Sequence, residues 1–142
     1  AYLNRKTPRN AVMFEQGGVS YVFFVYGMYN QFNVVVSPTG TANAILIRGL
    51  EPVAGLEIMK RRRRCDKIPN LTTGPGKLCQ ALGITREHNA VDLGGNLLWL
   101  SPRTESPEAV ATPRIGIDYA EEYKDKPWRF LIKGNKFVSR GR

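Results

Sequence analysis

The chain opens polar and basic, then turns apolar in short blocks. Residues 19–25, Val-Ser-Tyr-Val-Phe-Phe-Val, are β-branched and aromatic, a composition that predicts a strand. Residues 31–37 predict a second strand. The glycine-containing link Tyr26-Gly27-Met28-Tyr29-Asn30 between the two predicts a β-hairpin. Pro38-Thr39-Gly40 reads as a turn, followed by a third strand over 44–50. The period then changes. Pro52 suits a helical first turn, and Val53, Leu56 and Met59 recur at helical spacing, so 52–63 predicts an amphipathic helix. Residues 65–72 read as a polar loop. Thr73-Gly74-Pro75-Gly76-Lys77 opens a short helix that runs through Leu82 and stops at Gly83, and Thr85 fits as the cap of one further turn. Beyond it, 97–100 predicts a short strand, the proline-bearing 101–113 a loop, and 114–117 a brief strand. Residues 128–132 and 136–139 predict a last hairpin across Gly134-Asn135. The first ten residues read as an extended basic arm, with Pro8 forbidding a helix through that point.

Strands dominate, with two or three helices. The fold class is therefore α+β, a mixed domain on a largely antiparallel sheet. A doubly wound parallel sheet does not fit, because strands and helices do not alternate. A length of 142 residues suits a single domain over 1–142, and a hydrophobic fraction of 42% is enough for a core. No stretch has the apolar length of a membrane span, and no signal peptide is visible. Cys65 and Cys79 cannot form a disulfide framework, so reduced thiols in an intracellular protein are expected. The chain starts at Ala1 without a Met, so its natural start is expected upstream.

Charge narrows the partners. There are 21 Lys and Arg against 12 Asp and Glu, a net +9, and the isoelectric point is near 9.9. A small domain this basic points to a polyanion, either nucleic acid or an anionic surface.

Five features could carry chemistry. Tyr26 and Tyr29 flank the hairpin tip, where a bulky ring either docks into a groove or packs back on the sheet. Gly74 to Lys77 could hold an anion at a helix start, or could simply be a capped helix with a surface lysine. Its spacing is not that of a Walker loop. Lys60-Arg61-Arg62-Arg63-Arg64 reads as a solvated helix end suited to the dipole, with phosphate contact open. Arg48 follows the apolar run Ala44-Ile45-Leu46-Ile47, so it is either an edge-strand arginine or one buried beside a carboxylate in a pocket. His88 is the sole histidine. With two separated cysteines it offers no zinc site, and no nucleophile elbow lies near it.

Six segments, in order along the chain, carry a resemblance. They are Thr7-Pro8-Arg9-Asn10 with Met13-Phe14; Tyr26-Gly27-Met28-Tyr29 with Asn33; Leu46-Ile47-Arg48 with Glu51-Pro52 and Gly55; Gly74-Pro75-Gly76-Lys77-Leu78 with Gln80-Ala81-Leu82; Pro113-Arg114-Ile115-Gly116-Ile117; and Pro127-Trp128-Arg129-Phe130. Together they resemble the alkyladenine (3-methyladenine) DNA glycosylase family, mammalian-type enzymes with bacterial relatives. The resemblance implies a single domain on a curved antiparallel sheet with a protruding, DNA-intercalating hairpin. It implies hydrolysis of the N-glycosidic bond of alkylated or deaminated purines, with no cofactor and no metal. The expected partner is duplex DNA containing damaged purines, bound through its minor groove. No membrane partner is expected, and the full-length protein is expected to be a monomer, in the cytoplasm and nucleoid of a bacterium or in a eukaryotic nucleus.

Residue roles follow from the same resemblance. Tyr26 matches the intercalating tyrosine, with Gly27, Met28 and Tyr29 as its neighbours on the DNA-facing hairpin. Phe23 stands where the family often has a tyrosine stacked on the flipped base, and keeps the ring without the hydroxyl. Asn33 matches the asparagine that crowds the 2-amino group of guanine. Arg48 matches the arginine that helps hold the nucleophilic water, and Ile115 a residue whose carbonyl contacts that water. Thr7, Arg9, Gly76 and Lys77 fall in segments expected near the DNA backbone. The sequence departs from the family at its start. The general-base glutamate, a first stacking tyrosine and a stacking histidine are expected upstream of Ala1, so the N-terminal part of the domain is expected to be missing. Rival readings are a non-catalytic binder of distorted duplex and a basic RNA-binding protein.

Overall fold

The computed structural model describes residues 4–138. Its centre is a strand pair. β1 (Ser20–Val25) and β2 (Tyr29–Val35) run antiparallel in unbroken register, from Ser20 opposite Val34 to Val25 opposite Tyr29. Alternation divides their side chains between two faces. Val22, Phe32 and Val34 take the core face, while Tyr21, Phe23, Gln31 and Asn33 take the other. β3 (Ala44–Leu46) adds to β2, with Asn33 opposite Leu46 and Val35 opposite Ala44.

β3 is shorter than the predicted 44–50. The Ile47 amide still donates to the Phe32 carbonyl at 3.0 Å. After it the chain leaves β2, and Gly49 bridges to Thr73 instead. Thr72 Oγ1 takes the Leu50 carbonyl as its acceptor, so the backbone groups of this stretch serve the approach to the second helix.

The first helix also begins late. α1 (Leu56–Arg63) follows Gly55, whose φ of 72° breaks the predicted 52–63 element. Val53 is thereby left solvent-exposed. α2 (Pro75–Leu82) has Pro75 in its first turn and ends at Gly83, at φ 74°, as its sequence predicts. It packs two ways. Leu78 and Cys79 join Val22, Phe32, Val34, Ile84 and Leu93 in the main cluster. Ala81 packs with Met59 of α1 and with Leu71. Small residues on α2 thus let sheet and helix approach from two sides.

The basic run does more than solvate a helix end. Arg62 donates to the Ala81 carbonyl at 3.2 Å. Arg63 donates through Nε to the Leu71 carbonyl at 3.1 Å and through Nη1 to Gln80 Oε1 at 2.5 Å. These two arginines tie α1 to α2. Lys60 pairs with Glu57 at 2.8 Å.

Short 3-10 turns complete the frame. Pro8–Phe14 is such a turn, so the arm is not extended there: Pro8 opens the turn rather than only blocking a helix. Thr85 caps Arg86–His88, accepting from the Glu87 amide. His88 Nδ1 accepts from the Thr85 amide at 3.1 Å, a local structural role. The segment 88–91 is stitched to β1 through both the backbone and the hydroxyl of Ser20.

The C-terminal third differs most from its sequence pattern. Residues 97–100 form no strand; they bend, with the Leu100 amide returning to the Leu93 carbonyl at 2.9 Å. A strand lies inside the proline-bearing segment instead, β4 (Ala109–Thr112). It pairs antiparallel with β5 (Arg129–Ile132). Residues 114–117 are a bend around Gly116, at φ 70°. Residues 136–138 form a turn, so β4 and not this segment is the partner of β5; Ser139 lies outside the described residues. The result is two antiparallel sheets, of three and two strands, rather than one. The α+β class stands. Among the described residues, no helix is long and apolar enough to cross a membrane.

Candidate functional site

The tip of the β1–β2 pair is tight and apolar. The Met28 amide donates to the Val25 carbonyl at 3.1 Å, closing the turn over Tyr26 and Gly27. Both have positive φ, 52° and 66°, the pair of values that a type I′ turn needs. Glycine accepts this freely. A tyrosine does not, so Tyr26 is held in a costly conformation. It is also 86% exposed, with Met28 and Tyr29 exposed beside it. Packing back onto the sheet, one of the two options open from sequence, is not what Tyr26 does.

Tyr29 has a specific seat. A Cβ on Gly76 would lie 2.9 Å from Tyr29 Cδ1 and 3.2 Å from its Cγ. The ring therefore rests on the first turn of α2. The close neighbour of Gly76, at the helix start that an anion could approach, is a tyrosine. Lys77, next along, is exposed.

A second group lies on the face of the sheet away from the core. Tyr21 and Phe23 stack along β1, with centroids 5.1 Å apart and planes at 27°. Asn33, opposite Tyr21, is buried, and its Nδ2 donates to the Tyr21 carbonyl at 3.1 Å and the Gln31 carbonyl at 3.3 Å. Its amide orientation is thus fixed by the strands. Burial raises the Tyr21 phenol above its ordinary value, and the charge of Arg9 opposes that rise.

Arg9 reaches this face from the N-terminal turn. Asn10 Oδ1 accepts from the Thr7 amide at 2.6 Å, which fixes the turn carrying Arg9. Its guanidinium donates to the Phe24 carbonyl at 3.0 Å and lies 5.5 Å from the centroid of the Phe23 ring. Thr7 is half-buried at the start of the same turn.

Arg48 stands just past β3. Its neighbour Ile47 packs against the core. It is half-buried, and Arg48 Nε is enclosed with no acceptor among the described residues. Burial first, and then the charge of Arg129, hold its pKa below the ordinary arginine range. Neither of the described ion pairs, Lys60–Glu57 and Lys133–Glu108, involves it, so the pocket-with-carboxylate reading lacks its carboxylate here. Ile115 lies in the bend after β4, and no hydrogen bond described for these residues joins it to Arg48.

The structure therefore gathers Arg9, Tyr21, Phe23 and Asn33 on one face and sets Tyr26, Met28 and Tyr29 at its end, with Arg48 half-buried just past β3. Two features were not read from sequence. Arg129 is close enough to Arg48 to depress its pKa, a meeting of segments some eighty positions apart that no local pattern announces. Arg86 lies over the Phe24 ring at 5.1 Å, although its Thr85 cap was legible.

Comparison with known proteins gives the family. The family model described as Methylpurine-DNA glycosylase (MPG) matches residues 1–136. A protein of Clostridium acetobutylicum named "Putative 3-methyladenine DNA glycosylase" is 46% identical, over 98% of this chain and 72% of its own length. A Chlamydia felis protein of the same name is 47% identical over 96% of this chain and 71% of its own. One from Clostridium novyi is 44% identical over 99% and 74%. The chain belongs to the methylpurine-DNA glycosylase family, and with it to the DNA glycosylases of base-excision repair.

Proposed function

We propose that the protein enters the minor groove of duplex DNA, flips a damaged purine out of the stack, and hydrolyses its N-glycosidic bond. The substrates are alkylated or deaminated purines: 3-methyladenine, 7-methylguanine, hypoxanthine and ethenoadenine. The observation that carries this reading is Tyr26, 86% exposed and held at φ 52° at the end of a strand pair. An exposed ring in a costly conformation at the end of a paired strand suits a wedge that fills the gap left by a flipped nucleotide.

The other roles are those that the family resemblance implies. Phe23 stacks on the extruded base, and Asn33, immobilised by two carbonyls, disfavours the 2-amino group of guanine. Arg48 orients the water, together with the carbonyl of Ile115. Thr7, Arg9, Gly27, Met28, Gly76 and Lys77 lie against the DNA backbone or groove. Water oxygen attacks C1′, the bond from C1′ to the purine nitrogen breaks, and its electrons leave with the base. The water proton passes to a carboxylate general base, as the family resemblance implies. The product is an abasic site in an uncut strand, so the enzyme is monofunctional, and it acts as a monomer.

Affinity measurements on the full-length protein test the DNA-binding half of this proposal. A duplex with one hypoxanthine should be bound more tightly than undamaged duplex or folded RNA. Tyr26→Ala should weaken lesion binding by about tenfold, the scale of losing one stacked ring. Binding that ignores Tyr26, or a preference for structured RNA, would contradict it.

A further inference from the structure

We propose that Arg9 sets the charge preference of the base pocket, favouring neutral damaged purines over cationic ones. This rests on the reading of Phe23 as the ring that receives the base. The Arg9 guanidinium lies 5.5 Å from the Phe23 centroid and is tethered by its 3.0 Å bond to the Phe24 carbonyl. It is held there from the other side too, because the turn that carries it is fixed by the bond from the Thr7 amide to Asn10.

An aromatic ring attracts a cation through the negative potential of its faces. In Phe23 that potential is already engaged by a protein cation. A base carrying a positive charge, such as a ring-methylated purine, would meet a ring whose attraction is spent and a guanidinium that repels it. A neutral base such as hypoxanthine loses none of its stacking. Among the described residues no acid pairs with Arg9. Phenylalanine also has no hydroxyl with which to restore negative potential to the site. Arg9 is thus a specificity residue rather than a catalytic one.

The test is a ratio. Full-length protein is given two duplexes of identical sequence, one with 7-methylguanine and one with hypoxanthine, and release of each base is followed under single-turnover conditions. Arg9→Gln should raise the rate on the cationic lesion relative to the neutral one by about two- to fivefold, the scale of one exposed cation–ring interaction. Arg9→Lys, which keeps the charge, should return the ratio toward the parent value. A lost phosphate contact would slow both lesions alike and leave the ratio unmoved. An unmoved ratio overturns the proposal. So does an equal gain on both lesions, which would make Arg9 a cover that any base displaces. Phe23→Ala separates the underlying reading. If it slows neither lesion, the stacking role of Phe23 fails. If it slows both while Arg9→Gln leaves the ratio fixed, that role survives and the charge proposal alone falls.

Discussion

At the scale of single residues, the wedge role proposed for Tyr26 sets function against stability. A bulky side chain at φ 52° costs about 1–2 kcal/mol relative to a residue at ease there. Tyr26→Gly should therefore raise the melting temperature while lowering affinity for lesion duplex. Calorimetry and binding on the same variant check both signs; a variant that loses stability would show that the ring is part of the fold. Arg48 makes a similar case. It is desolvated and lies within the field of Arg129, so the folded state disfavours its charge. Arg48→Met keeps the apolar stem and removes the charge. We expect it to raise the melting temperature yet to slow base release by about a hundredfold, the scale of losing one preorganised donor. Slower release with a falling melting temperature would assign Arg48 to the frame instead.

At the scale of elements, local rules read well where a turn is made by its own residues. The tip at Tyr26-Gly27, the start and stop of α2 and the Thr85 cap were all legible, because their signals lie within a few positions. Where the partner is distant, legibility fails. The strand Ala109–Thr112 sits among prolines and shows weak alternation; only its pairing with Arg129–Ile132 makes it a strand. Residues 97–100 have strand composition and no partner strand among the described residues. The candidate site divides the same way. Roles for Phe23, Asn33 and Arg48 are proposed from resemblance alone, while the placing of Arg9 over Phe23 and of Arg129 near Arg48 needed the fold. Gly76 is a further example, since its neighbour is a ring from β2. Gly76→Ala should displace Tyr29 and weaken DNA binding by about threefold, on the scale of a modest steric shift. Made on Tyr29→Ala, the same change should cost nothing, so a double-mutant cycle would show coupling. Additive effects would remove the seat from the account.

At the scale of the whole molecule, a net +9 with exposed pairs such as Lys133–Glu108 leaves most cations available to a polyanion. Lesion binding should fall steeply with salt, in proportion to the phosphates neutralised. The core reports through a thiol. Cys79 is buried, and burial pushes its pKa up to about 11. The folded state therefore holds that proton more tightly than the unfolded chain. Its contribution to stability is complete below the ordinary thiol pKa and is lost as pH rises toward about 11. Denaturation midpoints should drop across that interval, and less so in Cys79→Ala. A thiol reagent at neutral pH should label the partly exposed Cys65 quickly and Cys79 only on unfolding.

Removal of a base is the proposed reaction, and one experiment addresses it. Full-length protein in excess is mixed with a duplex carrying a single hypoxanthine. Free base is measured by chromatography, and the strand is sized before and after alkaline treatment. The account predicts free hypoxanthine, with a strand that stays whole until alkali cuts it at the abasic site. Tight binding of the lesion duplex with no base released would contradict it.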